Sequence, residues 1–548
     1  MTCNFCGHEN QPGVKFCSRC GAQFPDMPPA AAPAEKVGVG SVFSSIVGMF
    51  KAMPLKKILL IAIPVIVVII AAIIFIPMLS GSSVAMETDS IAVFVDNDQL
   101  FISGNTNNRF AIDGKFESIQ RNMDGGKAAI LTDYDSRNGG TLWFVTTSNS
   151  YHIADDVLEY ILSDTGNGIA YLTDYDSRND VATLYLVETS SRKSTLITEE
   201  AMYDGSMQGI CISPNGKSIA YISDYDERDN EFTGYMKIDG KGAEKIGSNL
   251  FAVALADGGR YLYYVKLADN GTSLHVRSGR SDNRLVSDYR GLSSLSLKLN
   301  RDYSQVIFND GDRSYIAQSG GEKVRIGGTP IRWFLLPTWA QQGGNHRYVN
   351  VYGLRNFANN VIRNDDGLAY LNSAFETNRI SSTADNSYSA IISNDGKTLL
   401  FLNNNGHLSA IDPTKAGAER REIARDVETF LASSNGKTIY YINDEDELYC
   451  VKGNGNPVKV SDDVYAYSLQ MPINSNRAFF LVDYRRGSGE LCFSNNGSKR
   501  TKVAGGDDVV GVMALPKAVY YLTIDEDIFR SNGNERFSLF VEEVNSYY

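Results

Sequence analysis

The 548-residue sequence predicts a mostly β protein: a long array of short strands behind a single membrane-spanning helix, with a small cysteine-rich piece in front. Three observations carry that expectation. Four cysteines stand as two Cys-x-x-Cys pairs close to the N terminus, and Ile58 to Leu79 reads ILLIAIPVIVVIIAAIIFIPML without a charged side chain. From about Ile91 onward the chain keeps returning, at intervals of about 40 to 50 residues, to a tight-turn phrase followed by a β-branched and aromatic run.

The first element is Cys3-Asn4-Phe5-Cys6-Gly7 with Cys17-Ser18-Arg19-Cys20-Gly21. Four thiolates paired in this way close a tetrahedral zinc site with no open position for catalysis. The glycine after each pair suits a turn of positive φ whose N–H groups point at the sulfurs. So short a piece cannot bury a sufficient core, so the metal supplies its folding energy. Cys3, Cys6, Cys17 and Cys20 are therefore the expected ligands of one structural zinc. Two disulfides are the alternative, disfavoured in a reducing compartment. His8 is read as a surface residue because four cysteines fill the shell. The string CNFCGHENQPGVKFCSRCGAQF also resembles the zinc-ribbon domains found at the N termini of many bacterial membrane proteins. The resemblance covers residues 1–24, including the Gly13-Val14-Lys15-Phe16 lead-in. It implies a structural zinc and a protein contact, but no reaction.

Residues 25–57 read as linker and juxtamembrane segment. Met27 to Gly40 is rich in Pro, Ala and Gly, with nothing to build a core. In Ser41–Met53, Val42, Phe43, Ile46, Val47, Phe50 and Met53 fall on one helical face, which fits an interfacial helix or a simple extension of the span. Residues 58–79 are the span itself, long enough at about 1.5 Å per residue to cross a core of roughly 30 Å. Pro64 and Pro77 are tolerated in bilayer helices. A buried core helix and a cleaved signal segment, with Ser83-Val84-Ala85 as the site, are the alternatives. Lys51, Lys56 and Lys57 crowd one flank, whereas Ser80 to Asn108 carries neither Lys nor Arg, so the N terminus is expected in the cytoplasm and the large part outside it. A net charge of −12 argues against nucleic acid as a partner.

The repeat is clearest at Ser213-Pro214-Asn215-Gly216-Lys217-Ser218-Ile219-Ala220-Tyr221, and returns at Gly396-Lys397-Thr398-Leu399-Leu400-Phe401 and Gly436-Lys437-Thr438-Ile439-Tyr440-Tyr441. Asn-Gly or Asp-Gly is read as a hairpin turn in which both central residues take φ above zero. The run after it is a strand, followed by a polar loop, a second strand such as Thr183–Val187 or Glu447–Val451, and a short edge strand such as Pro457–Val460. Small four-stranded sheets stacked radially make a β-propeller, which buries faces no single blade could bury alone. The phrase resembles TolB-type propeller repeats, whose signature is Ser-Pro-Asp-Gly entering an Ile-Ala-Phe/Tyr strand, with Asn215 here in the Asp place. That resemblance implies a fold and no activity. Ten or eleven copies exceed the usual four to eight blades. The sequence thus favours two propellers in tandem, residues 88–335 and 336–548, changing near Thr329–Gly344; one large irregular ring is the alternative.

Cys211, Cys450 and Cys492 read as small buried apolar residues. Aligned strands set the last two on opposite faces, which argues against a disulfide. No nucleophile elbow, zinc-protease helix or phosphate loop is present. His152, His275, His346 and His407 are scattered and read as surface or edge residues. One pattern stands out: Asp133-Tyr134-Asp135-Ser136-Arg137-Asn138, Asp174-Tyr175-Asp176-Ser177-Arg178-Asn179 and Asp224-Tyr225-Asp226-Glu227-Arg228-Asp229, with an echo at Asp483-Tyr484-Arg485-Arg486. Equivalent loops of successive blades emerge on one face. The favoured reading is a turn solution copied by duplication, with local Asp–Arg pairing. The functional reading is a ligand-binding face built on the three tyrosines, with calcium on the carboxylates as a further alternative. Together these features predict a membrane-anchored, non-catalytic binding, scaffold or sensor protein of the bacterial envelope that contacts a protein or envelope polymer. An extracytoplasmic carbohydrate-active hydrolase or lyase is the alternative.

Overall fold

The computed structural model describes residues 91–538 and 546–547, apart from 97–98, 104–108, 227–230, 269–270, 290–295, 338–339, 341, 344–348, 382–388, 516–517, 526 and 532–535. The four N-terminal cysteines, the linker and the predicted span lie outside these residues. Among the described residues no helix is long and apolar enough to cross a membrane.

What the sequence read as repeats are antiparallel meanders joined by turns, in units of four strands except for the three of residues 477–502. In chain order they are sheet 1 (92–113), sheet 2 (116–157), sheet 3 (159–202), sheet 4 (211–248), sheet 5 (250–289), sheet 6 (297–325), sheet 7 (331–379), sheet 8 (390–424), sheet 9 (427–461), sheet 10 (477–502) and sheet 11 (509–538). Sheet 1 takes its fourth strand from the far end of the chain: Phe94 pairs with Tyr547 and Val95 with Ser546. Sheets 3 and 4 are joined through Ala201 and Ser223, and sheets 10 and 11 through Gly489 and Val509. Sheet 6 also accepts a parallel neighbour, Val349–Tyr352, along Leu297–Leu299.

The strands read as continuous apolar runs because both faces of each sheet are covered. In sheet 3, Ile169 and Tyr171 pack toward sheet 2, whereas Ala170 and Leu172 pack toward sheet 4. In sheet 9, Ile439 and Tyr441 face sheet 8, and Tyr440 and Ile442 face sheet 10. Successive side chains on a strand point to opposite faces, so a run without polar alternation needs a partner on both sides. Each sheet meets the next in this way, and Ala92 of sheet 1 packs with Ala518, Tyr520 and Ile528 of sheet 11. Cys450 and Cys492 do leave opposite faces of their sheets, but opposite faces of neighbours point into one interface. Both enter the cluster between sheets 9 and 10, unbonded and buried.

The turn differs from the expected hairpin. Gly216, Gly396 and Gly436 have φ of 75°, 70° and 68°, whereas Asn215, Asp395 and Asn435 are not in the positive-φ region. One left-handed residue, not two, closes each turn. The Asn or Asp is there for its side chain: Asn435 Oδ1 accepts from Ser433 Oγ at 2.8 Å and from the Lys437 N–H at 2.9 Å. Ser433 Oγ in turn accepts the Thr438 N–H at 2.9 Å. The same three bonds recur around Ser213 and Ser393.

Candidate functional site

The Asp-Tyr-Asp loops begin with a backbone requirement. Asp133, Asp174, Asp224 and Asp483 have φ of 53°, 53°, 55° and 52°. At each the ladder to the next strand skips register, a β-bulge that leaves residues unpaired. A bulge residue in the left-handed region is most often Gly, Asn or Asp, because a short polar side chain bonds locally and tolerates the crowding.

The carboxylates are held by nearby backbone and side-chain donors. Asp133 Oδ1 accepts the Lys115 N–H at 2.9 Å. Asp135 Oδ1 accepts the N–H groups of Arg137 and Asn138 at 2.9 and 3.1 Å. Asp176 accepts the Arg178 N–H at 2.9 Å and Asn179 Nδ2 at 2.8 Å, which hold it below the usual carboxylate range. Asp174 accepts from Thr173 Oγ1 at 2.7 Å, and Asp224 from the Tyr235 hydroxyl. Asp226 also has a partner. The expected Asp–Arg pairing takes a different form at Arg137 and Arg178: each contributes its backbone N–H, and no ion pair ties its guanidinium to these carboxylates. Arg228 lies outside the described residues. Among the described residues no three carboxylate, imidazole or thiol groups gather as a metal site would require.

The tyrosines, by contrast, converge. A cavity of about 550 Å³ opens between sheets 2, 3 and 5 and the loop that leads into sheet 4. Sheet 2 supplies Glu117, Ser118 and Gln120 from the strand Phe116–Arg121, together with Leu131 and Tyr134. Sheet 3 supplies Leu158–Ile161, the 203–210 loop supplies Tyr203 and Met207, and sheet 5 supplies Phe251–Val253. Tyr134 thus lines the cavity directly. Tyr175 meets Tyr203 edge to face at 5.3 Å, held by its own hydroxyl bond to Asp180 Oδ1 at 2.8 Å. Tyr225 leans on the cluster that contains Phe251 and Val253 of the cavity wall.

The walls are acidic and aromatic. Burial raises the Tyr203 hydroxyl to about 12, with the Glu159 charge adding to it. Burial also raises Tyr134, with Glu159, Glu117 and Asp135 contributing. Glu159 Oε2 accepts the Met207 N–H at 2.6 Å, which ties the 203–210 loop to sheet 3. Tyr160 is buried, and its hydroxyl approaches Ser118 Oγ at 3.1 Å and the Ala129 carbonyl at 3.3 Å. Sequence reasoning missed Glu117, Glu159, Tyr203 and Met207. They lie on first strands and on an unrepeated loop, where no copied phrase marks them.

Two other groupings were not legible. The fourth copy of the loop places Tyr484 in a stack with Tyr465 at 4.1 Å, next to the 83% exposed Tyr467. The histidines also have acidic partners: His152 with Asp155 at 2.9 Å, His407 with Glu422 at 3.3 Å and His275 with Asp282 at 3.2 Å. The last belongs to a chain that continues to Ser273 Oγ, 3.0 Å from His275 Nε2. His346 lies outside the described residues.

Residues 2–24 match the zinc-ribbon domain family, so the N-terminal piece is a zinc ribbon. No curated relative matches the sequence. Among solved structures the chain is similar to the tricorn protease, at 11% identity and a TM-score of 0.29, over 84% of this chain and 58% of that one. It is similar to TolB from Acinetobacter baumannii, at 15% identity and a TM-score of 0.29, over 48% of this chain and 66% of that one. A third is the β-propeller domain of the Trilobed protease from Pyrococcus furiosus, at 10% identity and a TM-score of 0.28, over 63% of this chain and 95% of that one. The chain spans less than two thirds of the first two. The protein thus combines a zinc-ribbon match at residues 2–24 with a succession of small antiparallel sheets, mostly of four strands, the blade-like unit of β-propellers.

Proposed function

We propose that this is a membrane-anchored binding protein: a zinc ribbon held by Cys3, Cys6, Cys17 and Cys20 in the cytoplasm, a single span at residues 58–79, and an extracytoplasmic propeller array that captures an envelope ligand. The observation that carries the reading is the cavity beside the Asp-Tyr-Asp loops, lined by Tyr134 and Tyr203 and within the size range of small-molecule and peptide-side-chain pockets. The loops position aromatic faces while spending their carboxylates on local bonds, which suits recognition. Two rings in tandem fit the packing of the first half. There Tyr303 of sheet 6 reaches Asp164 of sheet 3, and Met123 of sheet 2 packs on the cluster of sheets 4, 5 and 6.

A thermal-shift screen of the purified full chain against cell-wall peptides and glycan fragments tests this. A melting rise in the parent chain that disappears in Ser206→Trp, which fills the cavity, is the expected result. No rise with any fragment, or a rise unchanged in Ser206→Trp, overturns the reading. The carbohydrate-hydrolase alternative is favoured by one observation, that Glu117 and Glu159 line the same cavity. Glycan cleavage abolished by Glu159→Gln would establish it.

A further inference from the structure

Sheet 6 carries a lysine in its interior: Lys298, at the centre of the strand Leu297–Leu299, is 4% exposed. Its neighbours Leu297 and Leu299 belong to the cluster shared with sheet 5, so Lys298 leaves the opposite face. On that face it stands between Ile307 of the next strand and Asn350 of the parallel neighbour. Ile307 packs there with Phe334 and Tyr352 against sheet 7. A lysine so deeply buried is ordinarily paired with a carboxylate. Here no ion pair or hydrogen bond engages the amine among the described residues. The sequence around it has no acid to offer. From Lys323 to Asn364 the chain supplies the last strand of sheet 6, its parallel neighbour and the first two strands of sheet 7, with six Lys or Arg and no Asp or Glu.

Burial, with the Arg332 charge adding to it, pushes the Lys298 amine down to about 8. On the same face burial raises the Tyr352 hydroxyl to about 12, so it stays neutral where the amine titrates. The amine is not sealed, since no lysine nitrogen among the described residues is both closed to solvent and without a bond. Desolvation and a neighbouring cation are the two circumstances that turn a lysine into a nucleophile, because both favour the neutral amine with its lone pair free.

We propose that Lys298 is a covalent capture site for a small, uncharged aldehyde, separate from the cavity at Tyr134 and Tyr203. The Nζ lone pair attacks the carbonyl carbon. Both amine protons leave with the carbonyl oxygen as water, and a C=N bond replaces the C=O bond. The step needs no oxidant, reductant or metal. The aldehyde is small because so little of Lys298 is open, and uncharged because a charge brought between covered sheet faces loses its hydration.

Brief treatment of the folded full chain with propanal and cyanoborohydride, which reduces the imine to a stable secondary amine, marks the lysines that react. Peptide mass spectrometry at pH 7 should find Lys298 alkylated at least about ten-fold faster than the exposed Lys241 and Lys437, whose class of amine titrates near 10.4. The Lys298 rate should level off above pH 8 while the other two keep rising. Glyoxylate, an aldehyde that carries a carboxylate, should show a smaller preference for Lys298 over Lys241 than propanal does. Labelling of Lys298 no faster than of Lys241 and Lys437 overturns the proposal. The same preference in the urea-unfolded chain also overturns it, because burial would then not be the cause. An equal or larger preference with glyoxylate overturns the uncharged class.

Discussion

Tyr303 donates its hydroxyl to Asp164 Oδ2 at 3.0 Å, joining the first turn of sheet 6 to the first turn of sheet 3 across 139 residues of sequence. The place Tyr303 occupies makes the bond informative. The Tyr303 N–H bonds the Asn300 carbonyl at 3.1 Å, as Gly216 bonds Ser213, so Tyr303 stands where the repeat has glycine, with φ of 60°. A bulky residue there costs on the order of 1–3 kcal/mol. That cost is offset by full burial of the ring and by a bond between two buried groups.

Asp164 should make stability fall as pH rises. Burial lifts its carboxyl from the ordinary 3.8 to about 6, with the Tyr303 bond opposing the shift. The folded state then holds a proton that the unfolded state has released. The contribution is complete below pH 3.8 and is lost as pH climbs to about 6. The loss is at most about 3 kcal/mol. Asp164→Asn, still an acceptor for Tyr303, should be the more stable chain at pH 7.5 and should match the parent near pH 4. Denaturation midpoints of the two chains across pH 4–8 measure the difference; parallel curves would refute it.

Gly436→Ala should destabilise by about 1–2 kcal/mol. Its φ is 68°, and an added Cβ would come within 3.1 Å of the Thr398 Cβ of the neighbouring sheet. Asn435→Ala should cost about 1 kcal/mol through its two lost bonds. Equilibrium denaturation ranks them, and Gly436→Asn should be milder than Gly436→Ala because Asn tolerates the left-handed region.

Much of the fold was legible because the repeat writes the same local physics several times. Ser213, Ser393 and Ser433 each announce a turn, and the unbroken apolar runs announce sheets covered on both faces. The single left-handed residue per turn was not legible, because Asn-Gly fits two turn types and the side-chain bonds that choose between them appear only in three dimensions. Tyr134, Tyr175 and Tyr225 were legible as a set, through duplication. Glu117 and Glu159 were not, since strand residues of ordinary composition acquire a role only when several sheets bring them to one cavity.

Calcium should leave the melting temperature unchanged. Asp135 and Asp176 already accept backbone N–H groups, and among the described residues the loop carboxylates do not pool. Melts of the full chain with millimolar calcium and with chelator should superimpose. A calcium-dependent rise lost in Asp174→Asn with Asp176→Asn would show that the loops rearrange around the ion, since a ligand of the folded state stabilises by RT ln(1 + [L]/Kd).

Zinc removal should unfold residues 2–24, the zinc-ribbon match, and spare the sheets. A four-cysteine site contributes the folding energy of so small a piece. One zinc per chain by elemental analysis, reduced by Cys17→Ser, is the expected result. Full occupancy in that variant would place the metal elsewhere.

Ser273, His275 and Asp282 stand in the order of nucleophile, base and orienting acid, with links of 3.0 and 3.2 Å. Acyl transfer needs more than that order. A developing oxyanion must find donors already aimed at it, and that term is usually the largest. Ser273 lies inside the strand Gly271–Ser278, opposite Lys266 on one edge and at a register shift between Thr272 and Leu274 on the other. The imidazole also stacks on Tyr264 at 5.1 Å, whose hydroxyl binds the second oxygen of Asp282. The arrangement is that of a cross-strand polar ladder that stiffens sheet 5. A serine-directed fluorophosphonate should leave the chain unlabelled, and Ser273→Ala should change neither ligand binding nor hydrolysis of simple esters. Labelling that vanishes in Ser273→Ala would make this a catalytic centre.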